Sequence, residues 1–311
     1  MAFPARKNYL DPPHIEGTTP LFGAAHVVDT TPNDTAMPAH HARQLLKLVT
    51  MTAQHSQHKA PHHEGHSFGI DVGGSGIKGA EVDLATGEFV GDRLKIATPK
   101  PATPEAVAEV IAQIVTEKGW DGPVGITMPA VVKDQVVRSA ANIDKSWIGI
   151  DAQELFSQYL DTPFTVLNDA DAAGLAEVAY GDDVARTGPV IFLTLGTGIG
   201  SAFLLNGQLF PNTEIGHLIV GEQEAEHQAS SAVKEREGLK TKQWAKRVNR
   251  VLYEYEALFN PSAFVIGGGI SRKFDKWGEH LSIETPVVAA QLRNRAGIVG
   301  AAMAAKEGIR P

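Results

Sequence analysis

The chain has no cysteine among its 311 residues, which excludes disulfides and thiolate metal sites. It also lacks a run of the roughly 20 apolar residues that a membrane-spanning helix needs, and it lacks the basic-then-apolar order of a secretory signal. Basic residues number 28 against 36 acidic ones, too few for a general nucleic-acid binder. We therefore expect a cytoplasmic protein with neither a membrane nor a nucleic acid as a partner.

The first 66 residues differ from the rest of the chain. They are rich in Pro, Thr and Ala and contain nine of the twelve histidines. Because such a composition buries little apolar surface, residues 1–66 predict a mobile tail. The histidine run from His55 to His66 could bind a divalent metal, although loose histidine tracts are often incidental. Met51 stands where a native start would make sense, so the first 50 residues could be an extension.

From Ser67 onwards, strand-like and helix-like segments alternate, which is typical of an α/β fold. A strand–glycine-turn–strand unit at Ser67 is matched by a second unit at Val190. Two such units suggest a duplicated architecture with a cleft between two similar lobes. We predict a first α/β lobe over residues 67–183 and a second over residues 184–295.

Two glycine-rich turns carry polar groups that suit a phosphate. Glycines let backbone N–H groups approach an anion closely, and a nearby hydroxyl or ammonium adds further donors. Either turn could be only a tight hairpin, but polar residues embedded in both favour phosphate binding, and Asp71 could hold Mg²⁺ through water. Neither turn has the order of a Walker loop or of a dinucleotide fingerprint. The candidate phosphate-binding residues are Asp71, Gly73, Gly74, Ser75, Gly76 and Lys78 in the first turn, and Thr197 and Gly198 in the second.

Two further pairs of polar residues are candidates for handling hydroxyl groups. Asn168 and Asp169 follow an apolar strand and precede a helix, so a carboxylate there could accept the proton of a hydroxyl. The same pair could instead cap the helix, which is a common use of these residues. Glu214 and His217 place an acid and an imidazole three residues apart, and both can hydrogen-bond hydroxyls.

Five segments in this order resemble the ROK family of sugar kinases and repressors, and the similarity covers nearly all of residues 67–311. They are DVGGSGIKGA from Asp71, LNDADAAGLAE from Leu167, LGTGIG from Leu195, EIGH from Glu214 and VIGGGIS from Val265. The resemblance implies a two-lobed, actin-like (ribonuclease H-like) kinase fold in which a last helix, residues 296–306, packs back on the first lobe. It also implies phosphorylation of a sugar with Mg²⁺, Asp169 as general base, and a homodimer.

The resemblance assigns residues to both substrates. The sugar contacts that it implies are Asn142, Asn168, Asp169, Glu214, His217 and Glu226, and the segment facing the nucleotide contains Gly268 and Gly269. Many ROK proteins hold a zinc ion with a histidine at or next to the His217 position and three cysteines that follow. Since this chain has no cysteine, we expect no zinc site.

A basic stretch raises the question of the phosphoryl donor. The stretch from Lys234 to Arg250 contains seven basic residues and only two acidic ones. Such a run is usually a solvated helix face, but a polyanion longer than a triphosphate would need a basic track of this kind, with affinity that falls with salt. The segments at Phe68, Asn142 and Lys242 also resemble ROK members that use inorganic polyphosphate. The track residues are Lys240, Lys242, Lys246, Arg247 and Arg250.

The interpretation is thus a glucose 6-kinase that uses polyphosphate, with ATP as a further donor. An ATP-dependent kinase of the same family, acting on glucose or mannose, shares every site except the basic track. A sugar-sensing ROK repressor would need a DNA-binding winged helix before the first glycine turn, and residues 1–66 have too few apolar residues and too many prolines for one. The helix that carries the basic track also has a predicted buried face. Its apolar residues recur at helical spacing and are Trp244, Val248, Val251, Leu252, Tyr255, Leu258 and Phe259.

Overall fold

The structure is a computed structural model that describes residues 63–140 and 143–311. Asn142, Met51 and most of the predicted tail lie outside the described residues. The first strand begins at His66, and His63 packs its ring 3.8 Å from that of Trp120. The structure therefore corrects the tail prediction at its carboxyl end, because His63 and His66 pack against the folded residues that follow.

The first half of the described chain contains mostly strands. Its principal elements, in chain order, are β1 (His66–Gly73), β2 (Gly76–Asp83), β3 (Glu88–Phe89), β4 (Leu94–Ile96), α1 (Pro104–Glu117), β5 (Val124–Met128), β6 (Val132–Lys133), β7 (Val136–Val137), α2 (Ala152–Phe156) and β8 (Phe164–Asn168). Helix α1 begins where Thr103 accepts a hydrogen bond from the Ala106 N–H, and Pro104 occupies its first turn.

The second half contains the longer helices. Its principal elements are α3 (Asp169–Tyr180), β9 (Pro189–Leu195), β10 (Ile199–Leu205), β11 (Gln208–Phe210), β12 (Ile219–Val220), β13 (Gln223–Glu224), α4 (Ala225–Ala229), α5 (Ser231–Arg236), α6 (Thr241–Phe259), β14 (Ala263–Gly267), β15 (Val287–Ala289) and α7 (Ala296–Glu307).

Two sheets organise these elements. The first has the order β3-β2-β1-β5-β8, with β4 also paired to β2, and its strands β1, β5 and β8 are parallel. The second has the order β11-β10-β9-β14-β15, with β9, β14 and β15 parallel. Asp169 follows the carboxyl end of β8, Thr197 that of β9 and Gly268 that of β14, and ligands bind at such ends in open α/β sheets.

Helices α3 and α7 lie between the two sheets. Helix α7 packs on the first sheet, α3 packs on the second, and the two helices pack on each other. The contact is close because it is made at glycine: a Cβ at Gly300 of α7 would lie 1.7 Å from the Ala172 carbonyl oxygen of α3. One cluster of buried apolar side chains accordingly draws on both helices and on both sheets.

Helix α6 covers the outer face of the second sheet, and its apolar face differs from the prediction at one end. The five positions from Trp244 to Tyr255 are buried as predicted, but Leu258 is 58% exposed and Phe259 37% exposed. In the last turn of α6, the Phe259 ring packs at a steep angle on that of Phe203 on β10, with the ring centroids 4.9 Å apart. The helix is therefore longer than the surface that covers it.

Candidate active site

Asp71 is held at the carboxyl edge of the first sheet. It lies opposite Lys78 across the β1–β2 hairpin, and the Lys78 Nζ is 2.7 Å from the Asp71 Oδ2. On the neighbouring strand β5, the Thr127 hydroxyl donates to Oδ1 over 3.3 Å. These two contacts fix the carboxylate beside the first glycine turn, which consists of Gly74 and Ser75 between the paired Gly73 and Gly76.

Asn168 is the amino-terminal cap of α3. Its Oδ1 accepts hydrogen bonds from the N–H groups of Ala170 at 2.8 Å and Asp171 at 3.1 Å, and its Nδ2 donates to the Ala130 carbonyl at 3.1 Å. The capping interpretation therefore holds for Asn168, and one N–H of its amide is left for a ligand. By taking the cap, Asn168 places Asp169 at the first helical position.

The Asp169 carboxylate lies among other acids. It is open to solvent but has protein on most sides, and this burial raises its pKa to about 6. The negative charges of Asp71 and then Glu214 also raise the pKa, against a hydrogen bond of 2.8 Å from the Ala170 N–H to Oδ1. A carboxylate with such a pKa is ionised at neutral pH and is a stronger base than an ordinary aspartate.

The second glycine turn lies at the carboxyl edge of the second sheet. Strands β9 and β14 are parallel there, so the turn Gly196–Gly198 and the segment from Gly268 share one edge. The Gly196 carbonyl accepts hydrogen bonds from the Ser231 hydroxyl at 2.9 Å and the Ala232 N–H at 3.1 Å, which anchor the turn to α5. Gly268 has a φ of +83°, and a Cβ there would lie 2.6 Å from the Leu195 carbonyl oxygen, so this position needs glycine.

Glu226 joins the predicted sugar residues to this second turn. Its Oε2 accepts a hydrogen bond of 3.2 Å from the Ile199 N–H and would be in steric conflict with a Cβ at Gly198. Glycine at position 198 thus makes room for this carboxylate. The same carboxylate lies 3.8 Å from the His217 Nδ1.

His217 has a closer partner that the sequence did not reveal. Its Nδ1 lies 2.9 Å from the Glu224 Oε2, and this hydrogen bond is the main cause of the raised pKa of His217. The same bond lowers the pKa of Glu224. The pairing fixes the ring and leaves Nε2 for a ligand. Glu224 stands two residues before Glu226, and only the turn that pairs β12 with β13 brings it back to His217.

His217, Glu224 and Glu226 together resemble a small metal-binding group. One ligand atom from each lies within 4.8 Å of the others. The group consists of one imidazole and two carboxylates, whereas the zinc site of many ROK proteins consists of one histidine and three cysteines. The absence of zinc stays a prediction.

The basic residues of α6 divide into two groups. Lys240 precedes the helix, and its backbone N–H donates to the Gln243 Oε1 at 3.0 Å. Lys242 lies exposed in the first turn. The other three, Lys246, Arg247 and Arg250, line a pocket of about 600 Å³ together with Val220, Glu222, Gln223, Gln228 and Glu237. The Arg247 Nη2 lies 2.8 Å from the Glu237 Oε2, so its charge is already paired, whereas Lys246 and Arg250 are exposed.

A second cavity, of about 220 Å³, opens beside the first glycine turn. Gly73 and Gly74 line it together with one cation, Lys100, and one acid, Asp144, and its apolar lining includes the buried Trp147. The Thr98 hydroxyl also donates to the Gly73 carbonyl. The segment after β4 therefore supports the turn from outside the sheet.

The structure thus places candidate residues near the carboxyl edges of both sheets, and those of the basic track on and next to α6. The charges of Asp71 and Glu214 both raise the pKa of Asp169, and Glu226 lies near both His217 and the second turn. Asn142 falls outside the described residues. Among the described residues, no helix is long and apolar enough to cross a membrane.

Comparison with known proteins gives consistent results. The model of the ROK family matches residues 67–230. Polyphosphate glucokinase of Mycobacterium tuberculosis is 58% identical over 240 residues, which are 77% of this chain and 91% of that protein. The crystal structure of inorganic polyphosphate/ATP-glucomannokinase from Arthrobacter sp. is 46% identical with a TM-score of 0.74, covering 78% of this chain and 99% of that one. A ROK glucokinase from Streptomyces griseus, whose crystal structure contains glucose and AMPPNP, is 27% identical with a TM-score of 0.67. The match covers 78% of this chain and 100% of that one. The predicted two-lobed α/β fold is confirmed.

Proposed function

Because the chain belongs to the ROK family, we propose that it phosphorylates glucose, at the 6-hydroxyl, with inorganic polyphosphate as donor and ATP as a second donor. The observation that carries the proposal is the 58% identity to a polyphosphate glucokinase across 91% of that protein. The likeness to a polyphosphate/ATP-glucomannokinase supports both donors and leaves mannose as a further substrate. The ATP-dependent alternative retains the same sugar site.

In the proposed mechanism, Asp169 accepts the proton of the sugar hydroxyl as that oxygen attacks phosphorus. Its Oδ1 is held by the Ala170 N–H, which leaves Oδ2 for the hydroxyl. General-base help of this kind contributes about 10²–10⁴-fold. The other sugar hydroxyls are proposed to be held by Glu214, His217, Glu226, Asn168 and Asn142. The hydrogen bond to Glu224 keeps the His217 ring in place.

The two glycine turns are proposed to bind the donor phosphates from opposite sides. Backbone N–H groups at Gly73–Gly76 and Thr197–Gly198, with the Ser75 hydroxyl and the Lys78 ammonium, supply the positive field that a transferring phosphoryl group needs. Gly268 and Gly269 would face the nucleotide when ATP is the donor.

Asp71 suits Mg²⁺ through water. Lys78 and Thr127 each engage one of its oxygens, and a carboxylate has further lone pairs that can accept from metal-bound water. Bound there, the ion would neutralise charge on the donor phosphates. A homodimer stays a prediction from the family resemblance.

The test of the function is formation of glucose 6-phosphate with Mg²⁺, with polyphosphate and ATP compared at matched low salt. We expect turnover with both donors and a steeper loss with polyphosphate as salt rises, because a longer polyanion has more charges to neutralise. Turnover with ATP alone would exclude polyphosphate as the donor. No product from glucose or mannose with either donor would refute the proposal.

The pKa of Asp169 predicts a pH dependence. The base must be ionised to accept a proton, so kcat/KM for glucose should be level above pH of about 6 and fall about tenfold per unit below it. Replacing Asp71 with Asn removes a negative charge that raises this pKa, so the midpoint should move to lower pH. The profile of each variant is scaled to its own maximum. A midpoint that stays in place in Asp71→Asn would assign the titration to another group, such as the donor phosphate.

A further inference from the structure

Asn212 connects the two halves of the site. The residue lies between β11 and the short helical turn Ile215–His217, two positions before Glu214. Its side-chain amide makes two hydrogen bonds with one backbone residue of β6: the Val132 N–H donates to Oδ1 at 2.9 Å, and Nδ2 donates to the Val132 carbonyl at 2.8 Å. The amide thus mimics a strand partner across 80 residues of sequence.

The backbone of Asn212 makes a third connection, to the helix that begins with the base. Its N–H donates to the Asp171 Oδ2 at 2.8 Å. Asp171 is fully buried, and its other oxygen has no hydrogen-bond partner. The cost of burying this carboxylate makes the single bond from Asn212 hard to replace.

These bonds close a ring around the base. The hairpin of β6 and β7 is tied back to β8 by Gln135, whose amide bonds the N–H and carbonyl of Val166 at 2.9 and 3.1 Å. From β8 the chain runs through Asp169 to Asp171, then through Asn212 to Val132. The segment that carries Glu214 is therefore attached to the same frame that positions Asp169.

A separate attachment holds this segment to the second sheet. The Ser201 hydroxyl on β10 donates to the Thr213 carbonyl at 2.7 Å and accepts from the Ile215 N–H at 3.3 Å. With Asn212 removed, Ser201 would still hold the segment to its own sheet. The backbone N–H would also keep its bond to Asp171, so only the two hydrogen bonds to Val132 would be lost.

We infer that Asn212 is a positioning residue that fixes the distance between the sugar contacts Glu214 and His217 and the base Asp169. The inference rests on the proposed function for its substrate, but the mechanical link is a property of the chain alone. Asn212 also adopts a φ of +60°, a left-handed conformation that asparagine and glycine accept most readily.

The experiment uses Asn212→Gly, which suits the left-handed backbone and removes only the amide. We expect kcat/KM for glucose to fall about tenfold, the equivalent of about 1.4 kcal/mol, with KM for the donor changed less than about twofold. Hydrogen exchange measured by mass spectrometry should become faster in residues 213–217 and 132–137.

The matched control is Asn206→Gly. Asn206 also has a left-handed φ, of +51°, and accepts one hydrogen bond through its amide, from the Gly188 N–H at 2.8 Å in an exposed turn. Its activity and the exchange in those two segments should match wild type. Unchanged exchange in residues 213–217 of Asn212→Gly would overturn the inference, and so would faster exchange with an unchanged kcat/KM for glucose. Faster exchange throughout the chain would show a general structural role and would overturn it equally. A wild type that phosphorylates no sugar would refute the proposed function, while the exchange data would still decide the link.

Discussion

Asp169→Asn should lower kcat by about 10²–10⁴-fold, the usual contribution of a general base. The amide cannot accept the hydroxyl proton, yet it has nearly the same shape and can accept the 2.8 Å bond from the Ala170 N–H. Glucose binding, measured by calorimetry without a donor, should therefore change only a few-fold. The loss should appear with polyphosphate and ATP alike, because the same base serves both donors.

A matched control for this change is Asp151→Asn. Asp151 is an exposed cap of α2 whose carboxylate accepts from the Glu154 N–H at 3.0 Å, and asparagine caps helices equally well. Its kcat should equal that of wild type. Near-normal turnover in Asp169→Asn would remove Asp169 from the mechanism, and a parallel loss of glucose binding would assign it to substrate binding alone.

Reversing the charges of Lys246 and Arg250 should lower kcat/KM for polyphosphate by about 10–100-fold while changing kcat/KM for ATP less than about twofold. These two residues are chosen because they are exposed in the pocket on α6, whereas Arg247 is already paired with Glu237. Neutralising both to Ala should also reduce the slope of log(kcat/KM) against log salt. The expected reduction is about 1.4, twice the value for one phosphate contact on a flexible strand.

The control reverses Lys306 and Arg310, two exposed cations at the carboxyl end of the chain. This variant has the same change in net charge, so it measures the general effect of charge on attraction of the donor. An equal loss with both donors in the Lys246/Arg250 variant would count against a dedicated track. An equal loss in the control would show that net charge, rather than the pocket, attracts polyphosphate.

The sequence predicted those parts of the site that depend on local pattern. The glycine turns, the strand before Asn168 and the helix after Asp169 are each encoded within about ten residues, so composition and spacing reveal them. The resemblance to the ROK family placed these segments in order, and the fold comparison confirmed the two-lobed architecture. The assignments of individual contacts to sugar and donor stay predictions.

What the sequence did not reveal depends on contacts between distant residues. Glu224 lies in a polar stretch and gains meaning only through its bond to His217, and Asn212 only through Val132, 80 residues away. The buried face of α6 was overestimated at Leu258 for a related reason. Helical periodicity shows which side of a helix is apolar, but the extent of the opposing sheet decides how many turns are covered.

The packing of α3 and α7 between the sheets has a consequence for how the chain can be divided. Each sheet has one outer face covered by its own helix, but the inner faces meet in one shared apolar cluster. A fragment ending near residue 183 would retain α3 but lose α7, exposing the inner face of the first sheet to water. We therefore expect the two halves to unfold as one cooperative unit, because the last helix of the chain covers the inner face of the first sheet.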